Sequence, residues 1–536
     1  MNKFSGLLLV GCSALALAGC GADDISSPGA GSVVVNNPST TPTATPTSGT
    51  GTVVAAASCP AFNATGGLTD SGTISGPEGT WRVCTLPALV NVNSSLPKVA
   101  GVVYRINGRV DVGCDGGFTA PTAAAPRVTT TASCASRSLT ADTNVTLTID
   151  PGVIIYGENT SEAAWLAVNR GNKINAVGTA ALPIIFTSRQ NVVGSNSETD
   201  MGQWGGVVLL GRGITTDCTA AGSTSANNCE RNTEGSVNPA VFGGTDNTYN
   251  AGTMKYVQIR YSGYSLSPGI ELQSLTGESL GSGTTLEYIQ SVNSSDDGVE
   301  FFGGEVRMKH YIAVNADDDS LDIDTGIKGF FQYLLLLQRS GGGDALMEID
   351  SNGNEDNAPR QTSTIANFTA IQPAASTNND SNDQAAVLIR GNSDITLVNG
   401  IINTPANECI RLNGTTTNGS AQATLKAYAT VLSCNATKFL GTGTYNAAAV
   451  QTQFGSGSNA NNDTFTSTLT STFVNGTNET GVVAYANIQT ISTYFDKPTY
   501  IGAVSGASDT WYRGWTCNTA TGAFGSTTAC TALPTT

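Results

Sequence analysis

Hydrophobic positions in this chain fall in short runs rich in β-branched and aromatic residues, each closed by Gly, Asn or Asp. No stretch carries a helical stripe, so the pattern predicts strands and tight turns. Two segments align without a gap at a spacing of 22 residues: Ser291-Val292-Asn293-Ser294-Ser295-Asp296-Asp297-Gly298-Val299-Glu300 lies over Ala313-Val314-Asn315-Ala316-Asp317-Asp318-Asp319-Ser320-Leu321-Asp322. Looser copies flank them. Upstream, Tyr256-Val257-Gln258-Ile259 leads to Gly269-Ile270-Glu271-Leu272; downstream, Tyr333-Leu334-Leu335-Leu336 leads to Met347-Glu348-Ile349-Asp350. Ile395-Thr396-Leu397-Val398 and Ile410-Arg411-Leu412 are weaker copies.

A repeat of this length, built of short strands, describes coils that stack on one another. The expected fold class is all-β, a parallel β-helix (solenoid) with a disordered N-terminal linker. Equivalent positions then stack about 4.8 Å apart. Asn293 should sit over Asn315 in a buried amide ladder. The competing architectures are a β-sandwich and a propeller, and the period is too short for a propeller blade. Leu147 to Gly157, Ile174 to Thr179 and Pro183 to Thr187 read as earlier coils of the same kind.

Several segments carry a resemblance. They are Ile149-Asp150-Pro151-Gly152-Val153, Trp204-Gly205-Gly206, Phe242-Gly243-Gly244-Thr245-Asp246, Ser295-Asp296-Asp297-Gly298, and Tyr500-Ile501-Gly502-Ala503-Val504 with Gly514-Trp515-Thr516. Together they resemble a family of bacterial exported right-handed parallel β-helix lipoproteins, over about residues 140 to 520. The resemblance implies fold and location and carries no activity.

The N-terminus changes the picture. Lys3 precedes a short apolar run, Leu7 to Val10 and Ala14 to Leu17, too short to span a bilayer. It ends Leu17-Ala18-Gly19-Cys20, which resembles the bacterial lipoprotein signal; by that resemblance Cys20 is acylated, with palmitate among its chains. Gly21 after the cysteine favours the cell outer membrane, on its periplasmic or its surface face, and Asp23-Asp24 weakly echoes a surface-export tag. The expected layout is a signal peptide over 1–19, the lipidated cysteine and a disordered Ser/Thr/Pro/Gly linker over 20–58, and an N-terminal disulfide-containing cap over 59–139. The parallel β-helix follows over 140–450, and a C-terminal β/cap region with a disulfide over 451–536. The linker, with Pro28, Pro38, Pro42 and Pro46, would span about 35 Å as a flexible coil.

With Cys12 removed and Cys20 acylated, ten of the 12 cysteines remain. Nearest-neighbour pairing gives Cys59 with Cys84, Cys114 with Cys134, Cys218 with Cys229, Cys409 with Cys434, and Cys517 with Cys530, as disulfides of an exported protein.

Charge narrows the function. There are 25 Lys and Arg against 41 Asp and Glu, a net −16, and a single histidine. Phosphate binding needs clustered cations, so nucleic acid is excluded as a partner. One histidine leaves no His-rich metal site and disfavours a Ser-His-Asp enzyme. The repeat gathers acid instead. Glu271, Glu300, Asp322 and Glu348 are expected at equivalent positions, continued by Asp324 and Asp350. Asp296, Asp297, Asp317, Asp318, Asp319 and Asp344 occupy the turns. Val299, Leu321, Met347 and Ile349 are the inward positions.

Three readings of this outward acid stand open. The plainest is a solvated face that aids solubility. The second is a Ca²⁺ site made by Asp296, Asp297, Asp318, Asp319, Glu300 and Asp322, since the ion takes six to eight oxygens. The third is catalysis by Asp297, Asp319, Glu300 and Asp322, because aspartate pairs on β-helix coils resemble the polygalacturonase type of glycoside hydrolase. That family also uses a histidine, whereas His310 lies in register with Tyr288 and reads as packing. Arg390 and Arg411 read as charge-balancing and Asp246 as a turn cap. Trp204, Trp511 and Trp515 with Tyr261 and Tyr264 read as packing at the solenoid ends, or as sugar-stacking platforms. The weight falls on a non-enzymatic outer-membrane lipoprotein whose β-helix binds a glycan, envelope protein or other envelope component, or serves as surface structure. A polysaccharide hydrolase or lyase is the alternative. Beyond Ca²⁺ no cofactor is indicated.

Overall fold

The computed structural model describes residues 51–158, 163–236, 238–267, 270–351, 357–375, 385–414 and 422–535. The expected signal peptide, Cys20 and most of the linker lie outside the described residues. The rest is a parallel β-helix. One sheet, which we term the acidic sheet, stacks Leu275–Leu280, the first part of Val299–Val314, Asp322–Asp324, Met347–Ile349, Val387–Ile389 and Ile410–Asn413 in parallel. A second, the long sheet, stacks Gly252–Arg260, Thr285–Val292, the second part of Val299–Val314, Lys328–Leu337 and Gln361–Ile371. Strand Val299–Val314 passes from one sheet to the other at Gly303 and Gly304, whose φ values of 60° and 74° turn the chain.

Side chains alternate along these strands, so one set fills the coil interior. Leu275, Val299, Leu321, Met347, Val387 and Ile410 form one inward column, in register and buried. Burying each such side chain contributes roughly 1.5–3 kcal/mol. Helix Ala447–Phe454 closes the C-terminal end. Asn446 caps it by accepting from Ala449 N, Gly455 ends it at φ 70°, and it buries Val450 and Phe454. Phe454 packs on Phe439 of strand Phe439–Thr442, which adds to the acidic sheet beside Ile410–Asn413, ring centroids 5.5 Å apart.

A second column marks a bend in the long sheet. Tyr256, Tyr288, His310, Tyr333, Asn367 and Asn399 are in register, all with φ between 48° and 63°. Asn tolerates that region; the larger side chains pay strain there. Ring stacking offsets it: successive centroids along Tyr256, Tyr288, His310 and Tyr333 are 4.5, 4.2 and 4.8 Å apart. His310 is therefore packing. The Asn293–Asn315 ladder is present too, Asn315 Nδ2 donating to Asn293 Oδ1 at 3.1 Å.

All five cysteine couples are disulfides, with Cα separations of 4.9 to 5.8 Å. Three expectations need correction. Residues 51–58 were assigned to the linker, yet Val53 donates to Glu78 O and bridges Gly79, and Ala56 donates to Gly101 O, so this stretch packs on the first hairpin. The C-terminal region was expected to be β; after Phe454 the described residues hold only isolated bridges and short helical turns. They form an irregular strap that runs back along the long sheet. Outward amides hold it: Asn399 Oδ1 accepts from Tyr485 N, Gln332 brackets the backbone of Asp496, Gln290 that of Cys517, and Gln258 donates to Trp515 O. Leu533 N finally donates to Glu78 in the first hairpin at 3.0 Å. The tryptophans do not cap the ends. Trp204 is buried against Phe186, and Trp511 and Trp515 press the strap onto the aromatic column, Trp511 on His310 and Trp515 on Tyr288.

Candidate functional site: a buried acidic channel

The outward positions of the acidic sheet form two rows. The first runs Thr276, Glu300, Asp322, Glu348, Leu388, Arg411. Glu271 was expected to head it. Its backbone instead pairs with Ser265 in a side hairpin, because the chain between Tyr256 and Leu275 makes an excursion that breaks the repeat. The second row, two residues on, carries Glu278, Phe302, Asp324 and Asp350. The turns before these strands add Asp296, Asp297, Asp318 and Asp319.

This face is not a solvated surface, the plainest reading of the sequence. Asp297, Glu300 and Asp322 are 4%, 2% and 3% exposed, and Asp324 is fully buried. A long excursion over residues 211–250 lies across the rows. Thr216 N donates to Thr325 O at 3.1 Å, and Thr233 Oγ1 donates to Glu278 at 2.8 Å. Gly235 rests so close to the Glu271 backbone that a Cβ would lie 1.7 Å from its carbonyl oxygen. Arg231 enters here with its guanidinium over the Phe302 ring at 4.6 Å, paired to Asp217 at 2.8 Å and Glu234 at 3.1 Å. The base of the excursion is anchored by the fully buried Arg170, which pairs with Glu230 and Asp115, both at 2.7 Å. Cys218–Cys229 closes the excursion on itself.

Seven carboxylates, Asp296, Asp297, Glu300, Asp318, Asp319, Asp322 and Asp324, have no Lys or Arg within ion-pair distance among the described residues. Burial, and then the charge of neighbouring carboxylates, Glu271, Glu234 and Glu348 included, pushes all seven well above the usual carboxylate range. Glu278 beside them is raised by burial to about 8. Asp296, Asp297 and Asp318 can bring three carboxylate oxygens within 4.8 Å of one another, and so can Asp297, Glu300 and Asp322. Oxygens on one Ca²⁺ ion, each about 2.4 Å from it, are separated by up to that span. Asp297 belongs to both groups. Both oxygens of Asp324 are buried without a hydrogen bond, and a buried charge without a partner is costly.

Of the six residues proposed from sequence as cation ligands, five come together in this way. Asp319 is in neither group; its Oδ1 accepts from Ala345 N at 2.7 Å. The same carboxylates were the catalytic candidates, and Asp297, Asp319, Glu300 and Asp322 are all shut from solvent. Arg390 pairs with Glu348 and, at 3.1 Å, with Asp350. Arg411 donates to Asn413 at 2.8 Å. Asp246 caps its own turn through Thr248. Glu278 escaped the sequence reading because the insertion before Leu275 hides its register, and Glu234 and Arg231 because the excursion that brings them has no repeat. Its closing cysteine pair was the one signal available.

Among known proteins, the family model of a pectate-lyase-like beta helix domain matches residues 132–516. No curated protein and no solved structure matches the chain.

Proposed function

We propose, for a chain that belongs to the family of pectate-lyase-like beta helix domains, an exported protein held at the cell outer membrane by acylated Cys20, whose β-helix binds a glycan or another envelope component without turning it over. The family supports a carbohydrate-related role. The observation that carries the non-catalytic reading is the burial of Asp297, Asp319, Glu300 and Asp322 beneath residues 211–250. An inverting hydrolase needs a water and a sugar between two carboxylates, and a lyase needs a free base beside its cation. A polymer reaches neither here, and Arg390 is engaged with Glu348 and Asp350.

The acidic channel has a different role in this reading. It holds Ca²⁺ between Asp297, Glu300 and Asp322, with Asp296 and Asp318 around a second position, and the ion neutralises charge that packing has removed from water. Ca²⁺ thereby fixes the covering excursion and the surface it presents. The test is a glycan array with and without EDTA, followed by a reducing-sugar assay on each hit. Binding without release of reducing ends is expected. Release of reducing ends, or of unsaturated products, would make the hydrolase or lyase reading the better one.

A further inference from the structure

A cavity of about 300 Å³ lies where the C-terminal strap crosses the long sheet near the N-terminal end. That is at the lower end of the size of small-molecule sites. Leu182 and Pro183 form one wall, Thr516, Ser526, Thr527 and Thr528 of the strap another, and Gln258 and Arg260 border it from the sheet. Arg260 is 1% exposed. Its guanidinium is held rigidly: Nε donates to Gln258 Oε1 at 2.9 Å, Nη2 donates to the same oxygen, and Nη1 donates to Cys530 O and Ala532 O, both at 2.8 Å.

These acceptors are all neutral. No carboxylate lies within ion-pair distance of Arg260 among the described residues. The other guanidiniums buried to within 3% exposure among the described residues, those of Arg170 and Arg231, have two acidic partners each. Glu78 acts on this guanidinium only from beyond ion-pair distance; carbonyl oxygens satisfy N–H groups but add no counter-charge, and a buried cation so weakly compensated is costly. Burial lowers Arg260 to about 10, which still leaves it charged at neutral pH. Two donors of Arg260 are committed to Gln258 and two to the strap carbonyls, so one N–H of Nη2 remains.

We infer that this cavity is a binding site for a small oxyanion, a carboxylate, sulfate or phosphate group, seated against Arg260 and the strap hydroxyls, with room for the group that carries it. The cavity shares no lining residue with the acidic channel and needs no cation.

The test is calorimetric titration with sodium sulfate and with sodium malonate, sodium chloride at matched ionic strength being the reference. Sulfate also stabilises proteins generally by exclusion from their surface, so saturable heat, and not a melting shift, is the readout. The expected result is saturable millimolar binding of at least one anion, weakened tenfold or more by Thr527→Trp and by Arg260→Gln. Malonate binding would point to an organic carboxylate, and sulfate binding alone to a sulfate or phosphate. Arg260→Gln also loosens the strap; if it does not fold, Thr527→Trp decides, because Thr527 is exposed and leaves every Arg260 bond in place. No saturable heat from either anion, or undiminished binding in Thr527→Trp, would overturn the inference.

Discussion

Oδ1 of Asp297 accepts the backbone N–H of Asp319, one coil further on, at 2.9 Å. The same contact recurs one coil later, from Ala345 N to Oδ1 of Asp319. Each aspartate thus gives an oxygen to the next turn while burial opposes its ionisation. An asparagine keeps that acceptor and has nothing to ionise. Without cation, Asp297→Asn combined with Asp319→Asn should therefore melt higher than wild type. With millimolar Ca²⁺ the order should reverse, because the wild type gains by mass action, about 2.7 kcal/mol at a hundred times the dissociation constant. Melting curves of both proteins in Ca²⁺ and in EDTA decide it. A wild type that melts identically in the two conditions has no such site.

The pH dependence of the cation-free protein has a definite sign. Glu278 and the seven carboxyls beside it retain protons in the folded chain that the unfolded chain releases in the ordinary carboxylate range. Between that range and the Glu278 value of about 8, the folded state binds more protons. Stability must then fall as pH rises, by about 1.4 kcal/mol per pH unit for each proton retained. Denaturant titrations in EDTA from mildly acidic to mildly alkaline buffer should show this fall, and Ca²⁺ should flatten it. A rise over the same window would contradict the buried arrangement.

His310 titrates in the opposite sense. Burial in the aromatic column drives its imidazole down to about 3 from an ordinary 6.5. Its contribution is present above 6.5 and is lost as pH falls toward 3. His310→Phe keeps a ring between Tyr288 and Tyr333 and removes the titration, so its acid unfolding midpoint should lie below that of wild type. His310→Ala leaves a gap in the stack and should cost about 2–4 kcal/mol at neutral pH. If either variant abolished glycan binding while its melting temperature stayed unchanged, the packing role would be wrong.

Cys20→Ala should release the protein from membranes. No helix among the described residues is long and apolar enough to cross a bilayer, and stable anchoring needs more than one acyl chain or a span. Fractionation after a carbonate wash checks this. A variant that stays in the pellet would end the lipoprotein reading.

The coil stack was legible from residues because its signals are local and repeat. Val292 over Val314 and Asn293 over Asn315 declare both period and register. The disulfides were legible because each couple closes a short loop. Glu271 was misplaced for a related reason: an insertion shifts the numbering without shifting the pattern, so Thr276 takes the position that sequence spacing gave to Glu271. Burial of the acid was not legible at all. It depends on where residues 211–250 land, and that landing is set by single long-range contacts such as Arg170 with Glu230 and Thr233 with Glu278. Neither the excursion nor the strap has an internal repeat to announce its partner.

An ordinary solenoid is a row of units that touch only their neighbours, so its two ends can fray independently. The strap removes that independence. It begins at the helix that closes the last coil and finishes with Leu533 against Glu78 in the first hairpin, 455 residues apart in the chain. The molecule is thus a closed mechanical circuit. A pull on the N-terminal segment at Val53 enters the first hairpin and is shared, through the strap, with every coil of the long sheet down to the far end. No coil can peel away alone, and resistance to shear should collapse in a single event once the strap is cut.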